Sequence, residues 1–329
     1  MRACRLVLVL LAGFLVPGLL SGCGNDPGTY PGEARTARLT ASSEAPSLGE
    51  FGDLSGEPLL AAVNQDLARR GLPVAVAKAE FLVKPGFEAQ GRTLFASDRF
   101  KRLGERWVPG DARRLAQGNS LTYLTVMSAG AANPGIPATE TEAAIDRCFT
   151  TWEDAAGCAS LDLVKRPDTG ADATIVDFYL EMGDLGDPFL ADIVNAGFVP
   201  GEFFERLVTD GSRFILAVTF TLVFVDDYGY PTDLDRNREY DTALAEVYYN
   251  NEFRWTVTGT GGVDIETVAL HENGHTLGLG HFGNIFLTDA NSKLHIAPRA
   301  VMNAVYVGPL RVPQRTDLAG LCGEYANWP

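Results

Sequence analysis

The chain has 329 residues, which is enough for one large domain or two smaller ones. Its hydrophobic content of 46% and charged content of 21% are those of a globular protein with an ample core, and they exclude a disordered chain. The formal net charge of -15 argues against electrostatic binding to DNA, RNA or anionic lipid, so no nucleic-acid partner is expected.

The first residues have the pattern of an export signal. Arg2 and Arg5 supply a positive end, and an apolar run over residues 6–20 leads through two small residues to Cys23. This run falls short of the roughly 20 residues that a membrane-spanning helix needs. The ending resembles the lipobox of bacterial lipoproteins, which implies removal of residues 1–22 and lipidation of Cys23. A plain signal peptide with an incidental cysteine is the alternative.

The lipobox resemblance implies a protein that is exported and anchored by lipid to the cell envelope. Gly24, rather than Asp, follows the cysteine, which favours the outer membrane or the cell surface. If Cys23 is lipidated, Cys148, Cys158 and Cys322 remain, so at least one thiol is unpaired. The first two of these are too far apart to pair, because ten residues of the helix predicted there span about 15 Å. The pairing is otherwise left open.

Two regions precede the predicted main domain. Residues 23–57 are rich in Gly, Pro, Ser, Thr and Ala without an apolar period, which predicts a flexible tether. Residues 58–110 are predicted to form a small α+β lead-in or pro-region. Its apolar spacing favours an amphipathic helix over residues 58–72, followed by strand at 74–77 and 80–83. No chemical role is assigned to any residue of this region.

The main domain is predicted over residues 111–329. Its order of strand, helix, strand, strand suits a twisted sheet with helices packed against it. Helices are predicted over residues 139–156 and 200–208, the second within an otherwise irregular stretch from 181 to 212. Strands are predicted over residues 121–126, 161–164, 173–179 and 214–225, and residues 247–255 are predicted as strand and turn. The strand at 214–225 is expected to be central and buried, and the one at 247–255 to form the sheet edge beside the site.

Oxygen-bearing side chains stand at alternating positions after the predicted central strand. Asp233, Asp235, Asn237 and Asp241 resemble a calcium-binding loop in this spacing. The match to an EF-hand is incomplete, since that loop would need glycine where this chain has Arg238. Either a calcium site of another type or a solvated acidic turn fits these residues.

The stretch from His271 to His281 holds three of the four histidines in the chain and reads H-E-x-x-H-x-x-G-x-x-H. It contains the H-E-x-x-H zinc-protease pattern and extends it to a third histidine. A helix is predicted to begin near Asp264. On that helix His271 and His275 lie about 40° apart and one turn along the same face, so both imidazoles can bind one zinc ion.

The other residues of this stretch complete a catalytic zinc site. Gly278 can adopt the left-handed conformation that ends a helix, so the chain can turn back and present His281 as the third ligand. Glu272 is rotated by about 100° from the first ligand and can therefore reach a water at the metal. There it takes a proton from the attacking water as general base and then gives it to the leaving amine.

These residues resemble the metzincin zinc peptidases, and among them the matrixins most. A second similarity is the segment from Ala300 to Tyr306, which resembles the Met-turn of that family. The resemblance implies that Met302 forms an apolar floor beneath the zinc ligands and that Tyr306 borders the substrate pocket. It also implies that Asp317 hydrogen-bonds the Met-turn backbone from a C-terminal helix, for which Thr316 is the candidate N-cap.

The sequence departs from the family pattern in two places that matter below. No cysteine lies between Cys23 and Cys148, so the cysteine-switch propeptide of vertebrate matrixins is absent. Asn273 occupies a position of the helix that is more often apolar.

The resemblance implies an α+β fold with an α/β-like upper subdomain. It is a metzincin-type catalytic domain with a twisted mixed sheet, an active-site helix and a Met-turn, preceded by a small α+β N-terminal region. The implied function is that of a zinc-dependent endopeptidase, whose protein or peptide substrate would lie as an extra strand along the sheet edge. A surface-anchored binding or adhesion protein on the same scaffold, without turnover, is the main alternative. A zinc hydrolase acting on non-peptide amides is a third.

Overall fold

The computed structural model describes residues 54–116, 118–127, 133, 135–180, 185–187, 189–287 and 294–329. The predicted signal segment, Cys23 and nearly all of the predicted tether lie outside these residues. In the described part of the chain, no helix is long and apolar enough to cross a membrane.

The described residues form helices and strands that are mixed along the chain. The helices are α1 (Gly56–Arg69), α2 (Ala138–Ala155), α3 (Val176–Tyr179), α4 (Gly201–Leu207), α5 (Ile265–Thr276) and α6 (Arg315–Tyr325). The strands are β1 (Val74–Val83), β2 (Thr93–Phe95), β3 (Glu105–Arg106), β4 (Leu121–Thr125), β5 (Leu163–Lys165), β6 (Ile193–Val199), β7 (Ile215–Phe224), β8 (Tyr240–Asn250), β9 (Trp255–Thr256), β10 (Val263–Asp264), β11 (Asn284–Leu287) and β12 (Leu294–Ala297).

One mixed sheet organises the molecule, with strands in the order β2-β1-β7-β8-β6-β4-β5 and with β3 paired to β8. Strands β5, β4, β6 and β8 are parallel to their neighbours in that order. Strand β7 runs antiparallel to β8, and β1 runs antiparallel to β7. The expected fold class, a mixed sheet with helices packed on it, is confirmed.

The sheet is covered on both faces, which explains why its central strands are apolar without alternation. All ten residues of β7 are buried. Ile215 and Val218 pack into a core that includes α1 and α4, whereas Leu216 and Ala217 pack into a second core that includes α2 and α5. Residues 214–225 are therefore a buried central strand, as predicted. The active-site helix α5 lies against the second of these faces.

The prediction that residues 247–255 form the sheet edge is wrong. Strand β8 ends at Asn250 and lies inside the sheet, between β7 and β6. The far edge of β7 is not free either, because β1 pairs with it from Val74 opposite Phe224 to Val83 opposite Ile215. A strand from the region predicted as a lead-in therefore belongs to the main sheet. The proposed boundary at residue 110 stays a prediction.

The strand predicted over residues 173–179 and part of the irregular stretch predicted over 181–212 are wrong for identifiable reasons. Residues 176–179 form a helical turn, because the buried Glu246 carboxylate accepts hydrogen bonds from the N–H groups of Ile175 and Val176 at 2.8 and 3.0 Å. The stretch 181–212, predicted as irregular, contains the parallel strand β6. A register shift between Asn195 and Gly197 interrupts the apolar pattern of that strand.

A disulfide joins Cys158, just after α2, to Cys322 in α6 across 164 residues of sequence. Cys148 is buried and free. The expectation of one unpaired thiol, and of no bond between Cys148 and Cys158, is confirmed. A long-range disulfide is the kind of bond that persists in an oxidising, exported location.

Removing this disulfide should destabilise the fold, because the bond restricts the unfolded chain. The double variant Cys158→Ala/Cys322→Ala is expected to lose about 2 to 4 kcal/mol of unfolding free energy in urea titrations. A reductant should lower the stability of the parent by a similar amount and leave the double variant unchanged. An equal effect of the reductant on both proteins would contradict this assignment.

Candidate active site

Helix α5 carries the predicted zinc motif. Hydrogen bonds fix its N-terminus, and a glycine turns the chain at its C-terminus. At its start the Asp264 carboxylate accepts the N–H of Thr267 at 3.1 Å, and Arg311 Nε donates to the same carboxylate at 2.9 Å. At its end Gly278 has a φ of 86°, which a residue with a Cβ rarely adopts. The chain turns there, as predicted, and brings His281 back towards the helix.

The three predicted ligands come together at one point. The Nε2 atoms of His271, His275 and His281 lie 3.1 to 3.2 Å from one another. The Nδ1–H of His271 donates to Val301 O at 2.7 Å, and that of His275 donates to Leu279 O at 2.6 Å. These bonds place the proton on Nδ1 and leave the Nε2 lone pairs directed inwards.

This geometry fits a zinc ion. Zinc–nitrogen bonds of about 2.0 to 2.1 Å in a tetrahedron separate the nitrogens by about 3.3 to 3.4 Å. Burial lowers the pKa of each of the three histidines to about 3, so the imidazoles are neutral, as metal ligands must be. His271, His275 and His281 therefore form the zinc site.

Glu272 lies beside this triad, fully buried. Thr219 Oγ1, on β7, donates to its Oε2 at 2.7 Å, and the N–H of Leu82 on β1 lies 3.3 Å from its Oε1. Burial raises the pKa of Glu272 to about 8. A divalent cation at the triad would oppose that shift, because nearby positive charge favours the carboxylate.

The turn at Met302 lies directly under α5. Met302 is fully buried, and a Cβ added at Gly274 would lie 2.3 Å from its sulfur atom. Gly274 is thus a residue that the sequence argument did not single out for this role. Asn303 was also missed: its side chain donates to Phe282 O at 2.8 Å, which ties the turn to the segment beside His281.

Comparison with known proteins agrees with this site. The sequence model of the matrixin family matches residues 116–285. The chain belongs to the matrixin family. It is also similar to matrix metalloproteinase-25 of Mus musculus, with 33% identity over 94 residues. That match covers 26% of this chain and 13% of the mouse protein, so the chain spans much less than two thirds of this relative.

In this matrixin the carboxylate of Asp317 supports the Met302 turn from α6. It accepts the N–H groups of Val301 at 2.9 Å and Met302 at 3.1 Å. It also accepts the N–H of Gln314 at 2.6 Å, and Gln314 is the N-cap of α6. The prediction of Thr316 as N-cap is wrong, because Asp317 forms a capping box with Gln314 instead.

Tyr306 lies where the resemblance places it, next to the zinc motif. Its hydroxyl accepts the N–H of Asp264 at 3.0 Å. It lines a small cavity together with Leu82, Thr267 and His271. The side chain that borders the predicted substrate pocket is thus tied to the N-terminus of α5.

Strand β1 brings charged residues to the site that the sequence argument missed. Glu80 Oε2 lies 3.3 Å from His275 Nδ1. Lys78 Nζ lies 2.9 Å from Glu80 and 3.0 Å from Glu105, and all three side chains are buried. The sequence does contain a signal for them. Lys78 and Glu80 are charges at alternate positions of an otherwise apolar strand, and charged side chains are rarely buried there unless they are paired.

The acidic loop before β8 gathers three of its predicted residues. Ligand oxygens of Asp233, Asp235 and Asp241 lie within 4.8 Å of one another, so this cluster could bind calcium. Asp241 is buried and also accepts Arg113 Nη2 at 2.6 Å. The Oδ1 atom of Asn237 accepts the N–H of Glu239 at 2.7 Å, inside the loop.

Neutralising Asp317 should loosen the Met302 turn, because two of its backbone N–H groups would lose a charged acceptor. We expect Asp317→Asn to cost about 2 to 4 kcal/mol in chemical denaturation and to weaken zinc retention. Arg315→Ala, at an exposed position of the same helix, is the control and should change stability by less than about 0.5 kcal/mol. Equal stability of the two variants would argue against this role of Asp317.

Proposed function

We propose that this matrixin is a zinc-dependent endopeptidase that hydrolyses peptide bonds with Glu272 as general base and then general acid. The observation that supports this most is the convergence of three neutral imidazoles beside a buried carboxyl group that is fixed by Thr219. Zinc held by the three histidines would supply Lewis-acid activation of water and of the peptide carbonyl.

Residues of the chain itself transfer the proton, orient the carboxyl group and support the metal ligands. Glu272 removes a proton from the attacking water and delivers it to the nitrogen of the leaving amine. Thr219 holds the carboxyl group in the orientation that this transfer needs. Gly278 turns the chain after α5 towards His281. Met302 packs beneath α5, and Asp317 holds the turn that contains it.

The substrates that we propose are proteins or peptides bound in extended form. Tyr306 would then border the pocket that receives one side chain of the substrate. A binding or adhesion protein without turnover has no need of a carboxyl group held beside three neutral imidazoles. A zinc hydrolase of non-peptide amides is the third possibility, and cleavage of a peptide library would count against it.

We also propose the organisation and location of the whole chain. Residues 1–22 are a lipoprotein signal peptide, Cys23 is lipidated, and residues 23–57 tether the protein to the cell envelope. Residues 58–110 are a lead-in or pro-region, and residues 111–329 are the peptidase domain. The Cys158–Cys322 disulfide supports an exported location. The cluster of Asp233, Asp235 and Asp241 is proposed to hold calcium.

Replacing Glu272 tests the mechanism. We expect Glu272→Ala to keep its zinc and to lose about 10²- to 10⁴-fold in peptide hydrolysis, because the proton-transfer group is gone while the three ligands remain. Metal analysis and digestion of casein over many hours measure the two effects. Glu202→Ala, at an exposed glutamate of α4, should behave like the parent. Cleavage of casein by Glu272→Ala at the parent rate would refute the mechanism.

Calcium binding by the acidic cluster should be visible as stabilisation. Calcium at about 100 times its dissociation constant would add about 2.7 kcal/mol and raise the melting temperature of the parent. We expect Asp233→Asn/Asp235→Asn to lose this response, because two of the three carboxylates are neutralised. Asp227→Asn, at an exposed aspartate outside the cluster, should retain it. A parent protein whose melting temperature ignores calcium would rule the site out.

A further inference from the structure

Strand β1 lies beside the zinc site, with Leu82 N 3.3 Å from Glu272 and Glu80 3.3 Å from His275. It pairs antiparallel with β7 along one side. On its other side it pairs with β2 over residues 78–80, and its end contacts residues 304–306, which follow the Met302 turn and are called the wall segment here. The N–H of Val83 donates to Ala304 O at 3.1 Å, and the N–H of Tyr306 donates to Val83 O at 2.9 Å. A strand of this same chain is thus held between β7 and the wall segment.

The side chain of Leu82 packs next to the small cavity beside Tyr306. Leu82 is 2% exposed and joins the core that contains α5. It lines the cavity with Thr267, His271 and Tyr306, and only about 10 Å³ of that cavity is left free. A leucine of the chain itself therefore forms part of the wall of the pocket assigned to one substrate side chain, and little space is left beside it.

The peptide bond between Phe81 and Leu82 is next to the catalytic groups. Both polar groups of Val83 are used by the wall segment, whereas the N–H of Leu82 is 3.3 Å from Glu272 Oε1. The nitrogen of a peptide bond must receive a proton when that bond is cleaved. Glu272 is therefore placed to deliver a proton to Leu82 N.

The same strand closes the site. With β1 in place, β7 is paired on both edges, and no edge of β7 remains for a second peptide. Glu272 is 0% exposed, and His271 and His275 are each 1% exposed. A substrate from solution can reach these groups only after the end of β1 has left the cleft.

We propose that β1 is an internal substrate, that the site is latent while β1 is intact, and that hydrolysis of the Phe81–Leu82 bond opens it. This rests on the endopeptidase function proposed above. Water is the co-reactant: its oxygen bonds to the carbonyl carbon of Phe81, and the carbon–nitrogen bond to Leu82 breaks. One proton of the water passes through Glu272 to Leu82 N. The second proton leaves the new carboxylic acid and is taken up by the amine, so the products are a carboxylate at Phe81 and an ammonium at Leu82.

Cleavage opens the site because it creates two charged chain ends in a buried place. Burying an unpaired carboxylate or ammonium is strongly unfavourable, so both ends should leave the cleft for water.

The test uses the full chain loaded with zinc. Intact mass and N-terminal sequencing follow the chain over time, alongside hydrolysis of a quenched fluorescent peptide with the sequence of residues 78–84, Lys-Ala-Glu-Phe-Leu-Val-Lys. We expect a product that begins at Leu82 and a peptide-hydrolysis rate that rises with it. If less than about 10% of the intact chain is open, the initial rate lies at least about tenfold below the final one.

Two further readouts separate self-cleavage from cleavage by a contaminant. Because β1 already lies beside the catalytic groups of the same molecule, the cut is intramolecular. Its rate constant should therefore not depend on protein concentration. Glu272→Ala should show neither the cut nor peptide hydrolysis.

Substitutions at Leu82 test whether this side chain holds the end of β1 beside the catalytic groups. Leu82→Met keeps an apolar side chain of similar volume and should be cut like the parent. Leu82→Asp places a carboxylate in the apolar cavity, so it should remain uncut at this bond and hydrolyse the peptide without a lag. Leu103→Asp, at an exposed leucine, is the control and should keep the lag. Melting temperature and zinc content establish that each variant is folded.

The outcomes are distinct. A parent chain that hydrolyses the peptide at its full rate while β1 is intact overturns the proposal. So does a parent that stays whole while Leu82→Asp hydrolyses the peptide, and in that case the endopeptidase function stands. If neither the parent nor any folded variant hydrolyses the peptide or itself, the endopeptidase function fails as well.

Discussion

The convergence of three imidazoles is the constraint on which the rest of the structure depends. Three Nε2 lone pairs within 3.2 Å of one another suit a single cation, so the fold must fix the rings that carry them. Carbonyl groups of Val301 and Leu279 do this by fixing two of the rings through Nδ1. The carbonyl of Val301 is itself positioned by Asp317, which binds the N–H of the same residue. The ligand geometry is thus anchored by the C-terminal helix, far away in sequence.

Burying such a polar helix requires that the sheet supply partners for it. Thr219 on β7 binds Glu272, and Asn195 on β6 exchanges hydrogen bonds with Asn273 at 3.1 Å in both directions. Tyr249 on β8 completes this network by donating to Asn195 at 2.7 Å. The polar residue at position 273, unusual for the family, is therefore satisfied. Three neighbouring strands fix the rotation of α5, and with it the direction in which Glu272 points.

The sequence was most informative where spacing alone determines geometry. Four residues along a helix place His271 beside His275, and a glycine at 278 allows the turn to His281, so no knowledge of the rest of the chain was needed. Strand β1 pairs with β7 across more than a hundred residues of sequence, and β6 pairs with β4 and β8 across about 50 to 70, which no local pattern records. The helical turn at 176–179 was missed for the same reason, since its cap is the distant Glu246. Long-range contacts override local preference at these positions.

The position of β1 connects the stability of the sheet to the state of the site. An uncovered edge of a sheet exposes a row of unpaired N–H and C=O groups that invites pairing with other chains. In an endopeptidase that binds extended substrates, such an edge is also what the substrate requires. Strand β1 satisfies the edge of β7 with ten buried residues and at the same time occupies the cleft. This chain has no cysteine between Cys23 and Cys148 that could block the metal. The contacts that can keep the site closed are therefore the backbone pairing of β1 with β7 and the packing of Leu82 beside Tyr306.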